Sequence, residues 1–273
     1  FVAVVVIAIG LGMWLRTIPG VQSFISTYPG TPTFPPETPV GIPAWLGWQH
    51  FLNAFFLLLI VRTALDIRSK KRPPAFWTPK RAWFGVAPRR VGLNVWFHVS
   101  LDVLWLLNGL VFIILLFVTG QWMRIVPTNW DVFPNAISVA IQYASLNWPT
   151  DNPWVAYNAL QVLAYFAIVF VVSPLAIVTG ARLSPRWPLD GRLTRALPER
   201  PIRWMHNFLL AVFLVFVAQH VILVFLTGAL RNLNAMYATQ PDVPGEPTSM
   251  VGLGSFVFSV LVMIVGWVSA RTS

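Results

Sequence analysis

The sequence predicts an all-α integral membrane protein, a helical bundle of about six transmembrane spans forming a single domain over residues 1–273. Three observations lead there. With 56% hydrophobic and 10% charged residues and a mean hydropathy of +0.67, the chain has too little polar surface to close around a water-soluble core, so the bilayer has to act as its solvent. Several apolar runs reach the roughly 20 residues that a helix needs to cross the hydrocarbon layer. The basic residues gather in short loops between those runs, as membrane topology requires. That placement also sets nucleic acid aside despite a net charge of +10, because the charges form no stripe interleaved with exposed aromatics. Lipid is the partner that the composition demands.

The first run, FVAVVVIAIGLGMWL, lacks both the charged start and the small-residue cleavage site of a signal peptide. It is read as a first membrane helix, about 1–14, whose beginning lies outside the numbered residues. The other spans run roughly 43–64, 95–120, 153–180, 203–229 and 251–270. Three of them close on one dipeptide, Thr119-Gly120, Thr179-Gly180 and Thr227-Gly228, where glycine can take the left-handed conformation that ends a helix.

Alternating spans divide the loops between two faces. Residues 62–94, 181–203 and the C-terminus carry 16 Lys+Arg against 3 Asp+Glu, whereas 15–42, 121–152 and 230–250 carry 3 against 5. By the positive-inside tendency the first face is cytoplasmic and both termini lie inside. Tryptophans mark the same boundaries, Trp14, Trp45, Trp48, Trp122, Trp148 and Trp154 at outer ends and Trp96, Trp187, Trp204 and Trp267 at inner ends. Indole favours the headgroup level.

The chain has four histidines, His50, His98, His206 and His220, and all fall within expected spans. Ionisable side chains are expensive in hydrocarbon and usually line a pathway or hold a cofactor there. His206 and His220 lie 14 residues apart, close to four helical turns, so they share a face about 21 Å apart along the axis. Helix direction then pairs His98 with His206 at the inner depth and His50 with His220 at the outer depth. Two histidines at one depth on facing helices suit bis-imidazole ligation of a haem iron. The chain has no cysteine, which excludes disulfides, thiolate-held clusters and c-type haem attachment. Zinc is disfavoured, since neither pair has a third and fourth ligand nearby.

The segments Trp48-Gln49-His50-Phe51-Leu52-Asn53-Ala54-Phe55, Trp96-Phe97-His98 and Trp204-Met205-His206, with His220 fourteen residues on, resemble the bacterial cytochrome b561-type di-haem subunits. These anchor formate dehydrogenases, nickel–iron hydrogenases and thiosulfate-reductase-like molybdoenzymes in the cytoplasmic membrane. The resemblance covers roughly residues 43–229 and implies a four-helix core holding two haem b, with the spans about 1–14 and 251–270 outside it. It implies His50 and His220 as axial ligands of the outer haem, and His98 and His206 as those of the inner. It also implies a multi-subunit complex in which electrons pass between an extracytoplasmic oxidoreductase and membrane quinone. The long outer segment GQWMRIVPTNWDVFPNAISVAIQYASLNWP departs from several relatives and leaves the partner's identity open.

Asp102, one turn beyond His98, is a candidate for the proton transfer that quinone chemistry requires, or else a structural acid. Arg124, Arg200 and Arg203 are candidate partners of haem propionates, although topology alone would also put the inner arginines there. Asn53, Asn108, Asn158 and Gln161 are read as interhelical hydrogen-bonding groups. Two rival functions are a proton-coupled transporter using the histidines and Asp102, and a passive anchor without haem. Against the transporter, the core spans show no paired Gly/Pro interruptions.

Overall fold

The computed structural model describes residues 2–69, 72–81, 88–148, 152–187, 191–243 and 245–270. Lys70, Lys71 and Arg271 of the basic face lie outside them, as do Asp151 and Asp190. In chain order the elements are α1 (Val2–Leu15), α2 (Pro19–Thr27), α3 (Ala44–Arg68), a two-residue antiparallel pair β1 (Phe76–Trp77) and β2 (Val91–Gly92), α4 (Leu93–Val118), a 3₁₀ turn (Gln121–Arg124) and α5 (Val132–Ala144). Then follow α6 (Ala159–Phe166), a π-helical turn (Ala167–Val172), α7 (Ser173–Leu183), α8 (Arg192–Ala196), α9 (Glu199–Leu226), α10 (Ala229–Leu233), a second π turn (Asn234–Ala238) and α11 (Val251–Ser269).

Among the described residues, five helices are long and apolar enough to cross a membrane: α3, α4, the α6–α7 run, α9 and α11. The chain is a multi-pass membrane protein. Large apolar side chains such as Leu107, Leu110, Val111 and Val215 stand exposed on these helices, which in water would be a liability and in lipid is the required outer surface. The first run forms α1, whose 14 residues reach about 21 Å against the roughly 30 Å of hydrocarbon. Trp14, Trp48 and Trp204 are largely exposed, in keeping with indoles at a headgroup boundary.

Two of the three Thr-Gly pairs end helices as expected. Gly120 takes φ +74 after α4, and Gly228 takes φ +123 after α9. Gly180 does not, and α7 continues through it to Leu183. The fourth expected span also starts later than its hydropathy, at Ala159, because Asn158 and Gln161 form a reciprocal capping box at the helix start. These two residues therefore serve the helix end, and Asn158 additionally donates to the Tyr143 hydroxyl at 3.1 Å. The π turn inside this span directly precedes Ser173-Pro174. Proline has no N–H for the carbonyl four residues back and crowds it, and a widened turn absorbs that conflict while the chain stays helical.

The chain packs as two compact units. The first comprises Phe1–Ala44, Ile114–Phe170 and His220–Leu253. Its centre is α5, whose buried face carries Val132, Ala136 and Val139. Asn135 Oδ1 accepts from the Gly30 amide at 2.9 Å, and Asp131 Oδ2 accepts from the Thr33 amide at 2.9 Å and its hydroxyl at 2.6 Å. Gly12 lets α1 approach the end of α5, since a Cβ there would lie 2.8 Å from the Ala144 carbonyl carbon.

The second unit comprises Trp45–Ile113, Val171–Gln219 and Gly254–Ser273. Leu59 of α3, Leu101 of α4 and Ala270 form its apolar centre, with Phe55, Phe56, Ile60 and Phe97 around them. Gly266 admits Phe55, whose ring would lie 2.8 Å from a Cβ at that position. Arg62 lies 4.9 Å over the Trp267 ring and reaches the Ala270 carbonyl at 3.4 Å, keeping its charge paired with π density and a helix end.

Within the first unit Gly41 is a hub that tolerates no side chain. Its φ is +96, a Cβ would sit 2.9 Å from the Trp154 ring, its N–H donates to the Trp154 carbonyl at 2.8 Å, and its carbonyl accepts from Gln121 and Arg124. Gly41→Ala is expected to destabilise this unit by about 1–3 kcal/mol, seen as a lower thermal unfolding midpoint of the detergent-solubilised protein. An unchanged midpoint would show that the loop can relax around the methyl.

Candidate functional site

All four histidines lie on long apolar helices, His50 on α3, His98 on α4, and His206 and His220 on α9, and all four are half-buried. His98 and His206 belong to the same packing unit, where each ring acts against a threonine of another helix. The Thr63 hydroxyl of α3 lies 2.8 Å from Nδ1 of His98 and 3.0 Å from the carbonyl oxygens of both Leu59 and Ile60 in its own helix. The Thr179 hydroxyl of α7 lies 2.9 Å from Nδ1 of His206, 2.7 Å from the Leu175 carbonyl and 3.1 Å from that of Ala176. Thr63 is 0% and Thr179 3% exposed, so water does not compete for either contact.

Gly180 explains itself here. A Cβ at that position would lie 3.4 Å from Cε1 of His206, so α7 turns a hydroxyl and a bare backbone toward the imidazole. Arg203 stands one turn before His206 on α9. The inner pairing expected from helix direction has its two members within one packed unit. His220 lies in the other unit, where its ring meets Tyr165 edge-to-face with centroids 6.2 Å apart. The pairing of His50 with His220 rests on sequence alone.

Asp102 follows His98 by one turn, and its Oδ2 lies 3.7 Å from His98 Nε2, beyond hydrogen-bond length. Its side chain is 36% exposed against 14% for His98, so the carboxyl sits at the edge of the imidazole site and not within its packing. Among the described residues, no three His, Asp or Glu side chains converge as a metal-holding group. Two neutral imidazoles suffice as axial ligands of a haem iron but not as a tetrahedral zinc site.

The three arginines differ sharply. Arg200 and Arg203 are exposed at the start of α9, where Arg203 pairs with Glu199 one turn back. Arg124 is buried, donates from Nη1 to the Gly41 carbonyl and from Nη2 to the Pro153 carbonyl at 2.5 Å, and lies 4.7 Å over the Tyr157 ring. Arg124 is a clamp between two loops, its charge spread over carbonyl dipoles and an aromatic face.

Sequence reasoning passed over Thr63 altogether and read Thr179 as part of a helix stop. A threonine inside an uncharged span is unremarkable without knowledge of what it faces, and the partners lie 35 and 27 residues away. No family model, curated protein or solved structure matches the chain.

Arg124→Met would leave two carbonyls without their charged donor, each such bond being worth about 1.5–3 kcal/mol. The expected result is faster proteolysis in the loops around residues 29–43 and 152–158, by at least about tenfold at that cost. Equal cleavage rates in the variant and the parent would refute the clamp.

Proposed function

We propose that the protein is a di-haem cytochrome b subunit of a bacterial cytoplasmic membrane, carrying electrons between an extracytoplasmic oxidoreductase, with molybdoenzymes the first candidates, and the quinone pool. The observation that carries this reading is the confinement of every histidine to the spanning helices, with His98 and His206 each anchored at Nδ1 by a buried threonine. A ring held at Nδ1 directs Nε2 away from its own support, as a metal ligand must. The residues fit haem in three further respects. The donors are imidazole nitrogens, two per site are enough, and no side chain at Gly180 stands between α7 and the His206 ring.

His98 and His206 would hold the inner haem, and His50 and His220 the outer one. Bound there, haem b supplies reversible one-electron transfer. The chain's own task is to fix the rings, exclude water and set the depth of each site. Asp102, at the edge of the inner site, would pass a proton to or from quinone. The charge split between loop faces supports cytoplasmic placement of the basic loops and, with α1 as a sixth span, of both termini.

The form of the loops on the opposite face supports seeking the partner there. Those loops are folded, and α5 buries one side while Trp130, Phe133 and Ile137 stand exposed on the other, Trp130 at 84%. An uncharged aromatic strip of this kind suits protein docking.

Absorption spectra of the purified protein are expected to show two reducible b-type haems. His98→Ala and His206→Ala should remove one and the same haem, and His50→Ala and His220→Ala the other. Loss of a single common haem from His50→Ala and His98→Ala would overturn the pairing, and a protein purified without haem under haem-replete expression would leave the passive anchor. Asp102→Asn should keep both haems reducible by the partner but slow exchange with quinone. Unchanged quinone turnover would make Asp102 structural, and loss of the inner haem would make it a support for ligation.

A further inference from the structure

The contacts of Thr63 and Thr179 carry information about protons that distances alone do not display. A threonine hydroxyl has one hydrogen, whereas a carbonyl oxygen can only accept. The Thr179 oxygen lies 2.7 Å from the Leu175 carbonyl oxygen, and without a hydrogen between them two sets of lone pairs would face each other. That hydrogen is therefore committed to the helix backbone. Thr63 makes the same return bond, its hydrogen shared between the Leu59 and Ile60 carbonyls at 3.0 Å each.

The remaining contacts, 2.8 Å to His98 Nδ1 and 2.9 Å to His206 Nδ1, are of hydrogen-bond length and need a proton from the other side. Only the ring can provide it. A neutral imidazole has a single N–H, so a proton on Nδ1 leaves the lone pair on Nε2. We propose that Thr63 and Thr179 are positioning residues that accept the Nδ1–H of His98 and His206, fixing each ring as the tautomer whose Nε2 is the ligand atom.

Two features strengthen the assignment. Asp102 does not compete, since its carboxyl oxygen at 3.7 Å is too far to accept a proton from Nε2. The device occurs twice on different helix pairs, α3 with α4 and α7 with α9, with unequal sequence separations of 35 and 27 residues. A shared requirement of the two rings explains that recurrence better than a repeated sequence does. The consequence for haem rests on the function proposed above. Donation from Nδ1–H makes Nε2 a stronger base and holds the ring plane, and loss of such support typically weakens metal binding about 10- to 100-fold.

The test uses the full chain in lipid with ¹⁵N-labelled histidine, kept reduced so that any haem present is diamagnetic. In the parent protein the Nδ1 atoms of His98 and His206 are expected to carry the proton. Thr63→Val should shift the Nδ1–H resonance upfield only at His98, as its acceptor is lost, Thr179→Val only at His206, and the serine variants should restore both. A helix-packing role would not give this ring-selective shift with rescue by serine. If the parent protein shows Nε2–H at His98 and His206, the proposal is wrong whatever the variants do. It is equally wrong if the valine variants fold and leave both Nδ1–H resonances unchanged. Haem content and redox titration of the same samples test the underlying reading separately. Both valine variants should raise the potential of one and the same haem and loosen its retention about 10- to 100-fold, while absence of haem from the parent would end the haem reading and leave the tautomer result standing.

Discussion

A polar side chain inside hydrocarbon must find its hydrogen-bond partner among the helices themselves, because no water is there to substitute. The imidazoles of His98 and His206 meet this condition through threonines that are themselves bonded to their own backbones. Each threonine thus joins a helix carbonyl to a ring on another helix, in a chain of two hydrogen bonds that polarise one another. The arrangement fixes more than a contact. It ties the depth of each ring to the register of the neighbouring helix, so a slide of α3 against α4, or of α7 against α9, would break it. Glycine at position 180 completes the fit by letting α7 come near the ring.

The loops obey a related constraint with different chemistry. Arg124 brings a full charge into a buried place and finds no carboxylate there among the described ion pairs, only carbonyl oxygens and the face of Tyr157. Its fork geometry lets one guanidinium hold two separate strands of chain, which an ammonium could not do as rigidly. Gly41 receives one arm of that fork, and its left-handed conformation turns the carbonyl toward it. The segments between spans are therefore folded structure with their own core, which suits the proposed role of α5 in docking a partner.

The long helices were legible because hydrocarbon thickness sets their length and excludes charge, and both leave direct marks in sequence. Their ends were less so. The stretch 153–158 is apolar enough to extend a span, yet the pattern Asn158-x-x-Gln161 was a readable capping signal that hydropathy overrode. Helix α5 leaves no comparable mark, because 13 uncharged residues are too few to cross and show no boundary signal. The π turn before Pro174 could have been anticipated from the proline, though the choice between a kink and a widened turn depends on packing. Of the site, the histidines were visible through their rarity and their spacing, whereas Thr63 and Thr179 are two of many hydroxyls and acquire meaning only from what they touch.

The same distinction between what a side chain could do and what it is already committed to separates the three arginines. Turning Arg124 toward an anion would strip two buried carbonyls of their donor, a loss that the new ion pair would first have to offset. Arg203 gives up much less. Its bond to Glu199 is a surface pair on one helix, worth at most about 1 kcal/mol and weakened by salt. Arg203 also stands three residues before His206, while Arg200 is exposed one turn earlier on the same helix. An anionic group carried beside His206, such as a haem propionate, would therefore draw on the start of α9, where exchange of partners is cheap, and not on the buried clamp between the loops.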